Sequence, residues 1–438
     1  MRPVLYSFVF ILFAALCPWA RANDLGNQKH YLTIPILYIT DRAASPKGFA
    51  GQRKVEDFDS IYNLNCGTLQ YTLKNPVSEP LNKLQTELGW SQSKKRQSRI
   101  TTHVLPCSGK TDAYKDFGQA VIEAAKNAGT SEIFVIVHGF NTTHEGAANS
   151  AAQLAYNVQR PVILYDWPSK GRPGQYAVDA GNNEWSQEHF DQFLEELQEI
   201  KISSGLKINL LAHSMGNRLV IRSAPVLRGK HLFDQMFLVD PDFDSETFVH
   251  YLARYGNKVG TLAKSDAVTE TANPTRVRIF FSHKDNALPL AELLFGGYTR
   301  LGQAADSMLS SVFALNPLSI LAEHANANAD SPPTVAAAKP SWLLQFEWID
   351  FTVLDHGLIG HTIPYSLIAH LWTDNQPGDG LKLVIADTGR VNGLSRLSLG
   401  LFHERKRVSS QMGTCERVVF TNKGHQALVE GSVTAPQH

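Results

Sequence analysis

The chain has 438 residues, of which 43% are hydrophobic and 19% charged. That composition excludes wholesale disorder and supplies a large core. Lys plus Arg equals Asp plus Glu, 41 each, so no basic excess points to nucleic acid and no acidic tail to a solvating role.

Arg2, an apolar run from Val4 to about Cys17, Pro18 and the triplet Ala20-Arg21-Ala22 have the layout of a secretory signal peptide, residues 1–22, with cleavage expected after Ala22. An uncleaved N-terminal anchor is the alternative, but the run is too short for a membrane-spanning helix. Leu16 stands where a lipoprotein signal needs a small residue, which argues against a lipid anchor. The expected location is therefore the periplasm or the medium, without stable membrane insertion after cleavage. Cys66, Cys107 and Cys415 remain. None are spaced as a metal pair, and an oxidising compartment permits one disulfide, for which Cys66–Cys107 is the first candidate.

Residues 23–112 read as strands and loops, with strands expected at 31–39 and 66–73. From 113 to about 375 helix and strand alternate. Helices are expected at 114–128, 145–158, 187–201, 215–225 and 245–255. Short apolar runs at 133–137, 161–165, 207–212, 235–239, 276–281 and 343–353 read as strands buried on both faces. Such alternation specifies a mostly parallel sheet with helices on both faces. The apolar, helix-spaced stretch 301–322 and the Ala/Asn/Pro-rich stretch 326–340 interrupt the alternation, and 301–340 is a candidate lid insertion. The tail, 376–438, has no clear period, and its basic cluster His403 to Arg407 reads as a solvated face.

The sharpest motif is Ala212-His213-Ser214-Met215-Gly216, where an apolar strand turns straight into a helix. A serine at that turn, with small residues two before and two after it, is the nucleophile elbow of an α/β-hydrolase fold. Upstream, the strand 133–137 runs into His138-Gly139-Phe140-Asn141. In this fold that loop supplies one oxyanion-hole N–H, here assigned to Phe140, and the residue after the nucleophile, Met215, supplies the other.

A serine needs a histidine base and a carboxylate to orient it. The chain order Ser, acid, His favours Asp285, just past the strand 276–281, with Asp240, Asp242 and Asp244 as rivals after the preceding strand. His356 and His361 both follow the last strand, and spacing does not separate them. Trp167 and Tyr176 follow a strand end, where ligands bind in open α/β sheets, and are candidate substrate contacts. His138, His144 and His213 form no H-x-x-x-H pair, so no metal site is expected, nor does any motif imply a cofactor.

His138-Gly139-Phe140-Asn141, Asp166-Trp167-Pro168-Ser169, Tyr176 with Asp179, the elbow, Ser282 with Asp285-Asn286-Ala287-Leu288, Arg300-Leu301-Gly302 and Gly360-His361-Thr362 together resemble a bacterial α/β-hydrolase family long described only as a domain of unknown function. The resemblance spans about 30–372. It implies an esterase-like serine hydrolase and selects His361 over His356, because the family's histidine follows a glycine and precedes a small hydroxyl residue. The expected activity is hydrolysis of a small-molecule or lipid carboxylic ester through Ser214, Asp285 and His361. An acyltransferase or thioesterase on the same triad is the second reading, and a catalytically silent binding module the third.

Overall fold

The computed structural model describes residues 21–22, 31–46, 48–54, 64–74, 98–105, 113–227, 230–248, 251, 275–303, 344–352, 355, 359–373, 382–386, 402–410 and 413–421. His356, Cys107, most of the expected signal peptide and nearly all of the lid candidate lie outside these residues.

In chain order the strands are β1 (Arg21–Ala22), β2 (Tyr31–Thr40), β3 (Arg42–Ser45), β4 (Gly48–Arg53), β5 (Asn65–Lys74), β6 (Ser98–Leu105), β7 (Glu132–Val137), β8 (Val162–Asp166), β9 (Lys207–His213), β10 (Gln235–Val239), β11 (Thr275–Phe281), β12 (Leu344–Asp350), β13 (Lys382–Ala386), β14 (Phe402–Ser410) and β15 (Gly413–Thr421). The helices are α1 (Ala113–Asn127), α2 (His144–Val158), α3 (Tyr176–Trp185), α4 (Gln187–Ser204), α5 (Gly216–Arg222), α6 (Ala224–Leu227), α7 (Ala287–Leu294) and α8 (Tyr365–Thr373).

One sheet runs in the order β14-β15-β13-β12-β11-β10-β9-β7-β8-β2-β5-β6, with β1 beside β2; β3 and β4 form a separate hairpin. From β13 to β2 every neighbouring pair is parallel, and the antiparallel pairs lie at the two ends. This is the α/β-hydrolase architecture expected from the alternation of elements.

The central strands are continuous apolar runs because both faces are covered. On β7, Ile133, Val135 and Val137 join the core under α1 and α4, whose contributions include Phe117, Val121, Phe190, Phe193 and Leu197. Phe134 and Ile136 point the other way, into a core built with Ala147, Ala148, Ala151 and Ala152 of α2 and Leu367, Ile368 and Leu371 of α8. Each fully buried Leu, Ile or Phe contributes about 1.5–3 kcal/mol by leaving water. Thr143 caps α2 by accepting from the Gly146 N–H at 3.1 Å, and Gln159, at φ 52°, ends it.

Four features extend or depart from the sequence expectation. The strand and loop region before residue 113 is joined to the hydrolase core through one sheet, since β2 pairs with β8 from Leu37–Ile163 to Thr40–Asp166. Residues 98–105, within the region read as strands and loops but not picked out as a strand, form β6 through backbone pairing to β5. The tail supplies β13, β14 and β15, and the basic run His403 to Arg407 lies within β14. The helix expected at 215–225 breaks at Ser223 into α5 and α6. Cys66, fully buried on β5, is disulfide-bonded.

Candidate active site

From β7 the chain crosses to β8 on one side and later to β9 on the other, so the carboxyl ends of β7 and β9 flank the reversal point where ligands bind in such sheets. β9 delivers His213 and then Ser214, whose φ of 51° lies in the left-handed region. That strain is held by hydrogen bonds: Ser214 N–H donates to Val239 O at 2.9 Å, while its carbonyl accepts from Asn217 N at 3.1 Å and Asn217 Nδ2 at 3.0 Å. A Cβ on Gly216 would stand 2.4 Å from His138 O, and one on Gly139 2.8 Å from Ser214 Cβ. Both glycines are therefore needed for the helix and the β7 loop to close on the serine. Among the described residues the Ser214 hydroxyl has no hydrogen-bond partner.

β11 ends at Phe281, and the following turn presents Asp285. Its Oδ1 accepts from the N–H groups of Ala287 at 2.8 Å and Leu288 at 3.0 Å, the start of α7. Its Oδ2 lies 2.7 Å from His361 Nδ1. The chain reaches His361 by passing Gly360, at φ 64°, where a Cβ would stand 1.9 Å from Lys284 O. Asn286 N–H to Ile359 O at 2.8 Å fastens the two loops together. Thr362 Oγ1 donates to the Asp355 carboxylate at 2.9 Å, fixing the residue after the histidine.

The rival acids are placed differently. Asp240, at φ 41° and fully buried, has Oδ2 3.9 Å from His361 Nδ1 and no hydrogen bond at either carboxyl oxygen. Burial, then the nearby Asp285 and Asp355, push its pKa well above the usual carboxylate range. Asp242 accepts at both oxygens from Arg218 Nη2, at 3.1 and 3.0 Å, with Arg300 Nε 3.6 Å away. Asp244 accepts from the Thr247 N–H at 2.7 Å as a helix cap.

The loop after β7 is held from below. His138 Nδ1 lies 2.9 Å from Gly139 O, and its Nε2 lies 3.0 Å from Asp166 Oδ1. Asp166 also receives Arg42 Nε at 2.7 Å and His144 Nδ1 at 2.7 Å. Burial pushes the Asp166 pKa up, but Arg42 and the bonds to His138 and His144 outweigh it and hold the carboxyl well below its ordinary value. Arg42, itself fully buried, reaches Ser169 O at 2.8 Å and Thr142 O at 2.9 Å, so one guanidinium ties the β7 and β8 loops together. Above this network the backbone N–H groups of Phe140 and Met215 make no hydrogen bond among the described residues. Arg42 was not singled out in the sequence; the available signal was a charged Asp41-Arg42 pair directly after an apolar strand.

Trp167 is fully buried. It stacks on His138 with centroids 5.0 Å apart and donates its indole N–H to His138 O at 2.7 Å. Its place is beneath the loop, and it exposes no surface to a ligand. Tyr176 packs edge-on to Phe140 at 5.0 Å and Phe295 at 5.7 Å, and its hydroxyl donates to Asp242. Burial, then Asp242, raises its pKa, so it stays a neutral phenol. An apolar rim follows on α7 and beyond: Leu290, Leu293, Leu294, Phe295 and Tyr298 are exposed, as is Ile359 beside His361.

Residues 114–312 match the family described as alpha/beta hydrolase of unknown function (DUF900). The matched span holds the elbow, the β7 loop and Asp285, whereas Arg42 and His361 lie outside it. No curated protein matches the α/β hydrolase. Among solved structures it is similar to the phospholipase PlaB from Legionella pneumophila in complex with thio-NAD, at 15% identity and a TM-score of 0.24, over 40% of this chain and 44% of that one. A second similarity is to a structure described as a hydrolase of the alpha/beta superfamily from Xanthomonas campestris pv. campestris. The identity is 15% and the TM-score 0.19, over 45% of this chain and 97% of that one. The α/β hydrolase thus spans less than half the length of the phospholipase chain.

Proposed function

We propose that this hydrolase is an exported serine esterase that cleaves a carboxylic ester through an acyl-enzyme on Ser214. The observations that carry the reading are the anchored Asp285 carboxylate 2.7 Å from His361 Nδ1 and the strained Ser214 at the end of β9, whose chain neighbour His213 has its ring 4.9 Å from that of His361. Asp285 orients the imidazole and stabilises it once protonated, and His361 Nε2 takes the Ser214 proton as Oγ attacks the acyl carbon. Negative charge then develops on the former carbonyl oxygen, for which the unengaged N–H groups of Phe140 and Met215 are the donors. Collapse expels the alcohol, protonated by His361. A water deprotonated by the same imidazole releases the acid and restores Ser214.

The exposed leucines of α7 and Phe295 begin five residues after Asp285, at Leu290, which supports an apolar acyl group over a small polar one. Tyr176 and Phe140 form the inner edge of that surface, while Trp167 acts through the loop it supports. The signal-peptide pattern and the disulfide at Cys66 support export.

A fluorophosphonate probe and nitrophenyl esters of graded chain length test the reading. The wild type is expected to label stoichiometrically and to hydrolyse the esters. Ser214→Ala is expected to fold and lose both, with kcat down by several orders of magnitude. A folded Ser214→Ala protein with near-wild-type turnover would sink the proposal.

A further inference from the structure

His213, Asp240 and His361 form the one group of potential metal-ligating side chains among the described residues whose ligand atoms all lie within 4.8 Å of one another. The serine mechanism leaves two of them unused, and those two lack partners. Both carboxyl oxygens of Asp240 and Nε2 of His213 are buried without a hydrogen bond. Buried polar atoms are rarely left so, because each unmade bond costs about 1–3 kcal/mol. Here three such atoms stand together, facing the ring of the proposed base: the His213 and His361 rings have centroids 4.9 Å apart, and Asp240 Oδ2 is 3.9 Å from His361 Nδ1.

We propose that His213, Asp240 and His361 form an inhibitory binding site for a zinc ion. Two imidazoles and one carboxylate are a common donor set for a zinc ion that keeps one position for water. Ligand distances of about 2.0–2.2 Å place tetrahedral donors about 3.3–3.6 Å apart. The three side chains therefore close by about an ångström on binding, a rotation that a metal–ligand bond readily drives. Asp285 and Asp355, close enough to act on Asp240 electrostatically, add negative potential at the same spot. On binding, His361 gives one nitrogen lone pair to the metal and keeps its proton on the other nitrogen, while Asp240 coordinates as a carboxylate and releases to solvent any proton it holds, so no redox step is involved. A metal-bound His361 no longer accepts the Ser214 proton. The inhibition rests on the proposed role of His361, whereas the binding does not.

The experiment separates the two. Zinc binding is measured by titration calorimetry on chelator-treated Ser214→Ala protein, which needs no catalysis, and cobalt absorption reports tetrahedral coordination. One ion per chain is expected. Asp240→Asn and His213→Gln should each weaken binding by at least the roughly 10- to 100-fold that loss of even an outer-shell partner costs. Melting curves establish that each variant is folded, and His213→Gln serves if Asp240→Asn is not. In the wild type, zinc should block fluorophosphonate labelling, and chelator should restore it. No binding to the Ser214→Ala protein, or equal binding once Asp240→Asn or His213→Gln is added to it in folded form, overturns the site. Binding that depends on both residues in a protein with no esterase activity keeps the site and removes the esterase reading instead.

Discussion

Asp285 and His361 meet at 2.7 Å although 76 residues of chain separate them. They leave neighbouring parallel strands, β11 and β12, whose last paired residues are Phe281 and Asp350. The second Asp285 oxygen is occupied by the first amides of α7, so the carboxylate cannot turn away from the imidazole. Asp285→Asn keeps the shape but inverts the hydrogen bond to Nδ1. The expected loss in kcat is on the order of 10⁴-fold, with a far smaller loss for Asp240→Asn. A larger loss in Asp240→Asn would move the acid to β10.

Gly360 sets the approach of His361. An alanine there meets Lys284 O at 1.9 Å and must also adopt φ 64°. Left-handed backbone alone costs a non-glycine residue roughly 1–2 kcal/mol, and the clash forces the two loops apart. Gly360→Ala should lower kcat strongly while the melting temperature falls by only a few degrees. Unchanged kcat would mean that His361 does not depend on this turn.

The buried Asp166 gives acid sensitivity a definite sign. Its folded pKa lies well below the unfolded value of 3.8, so the stability it contributes is fully present above 3.8 and is lost as pH falls from there through the folded pKa. Asp166→Asn leaves Arg42 buried and unpaired, a cost of about 3–5 kcal/mol at neutral pH. Urea unfolding across pH should show that deficit shrinking on acidification. A deficit that stays constant to the lowest accessible pH would exclude an ionised Asp166.

The apolar rim should matter for substrate and little for stability. Leu293 is 75% exposed and Leu294 57%. Replacing both by Ser should weaken kcat/KM for long-chain nitrophenyl esters several-fold more than for acetate, with the melting temperature unchanged. A uniform loss on all esters would remove the rim from substrate binding.

The central strands were readable because both their faces are buried, which writes them as uninterrupted apolar runs such as Ile133 to Val137. The elbow was readable because close approach demands small residues at fixed offsets from Ser214. β6 and β14 were not, since a strand held by backbone pairing at the end of a sheet leaves little hydrophobic signature. The Arg42–Asp166 pair bridges 124 residues, and no local pattern announces it. Spacing left His356 and His361 equivalent because both follow β12, and the choice rested on resemblance around Gly360.

The family match begins at residue 114, yet the loop carrying Phe140 is fastened by Arg42. A fragment trimmed to that boundary would lose the guanidinium and leave Asp166 as a buried anion without its principal counter-charge. It would also strip β2 from β8, turning Val162 to Asp166, a wholly apolar run but for its last residues, into a bare sheet edge. Such an edge pairs readily with other chains. Recombinant protein cut at 114 should therefore precipitate, and soluble material should require the chain to begin upstream of Tyr31.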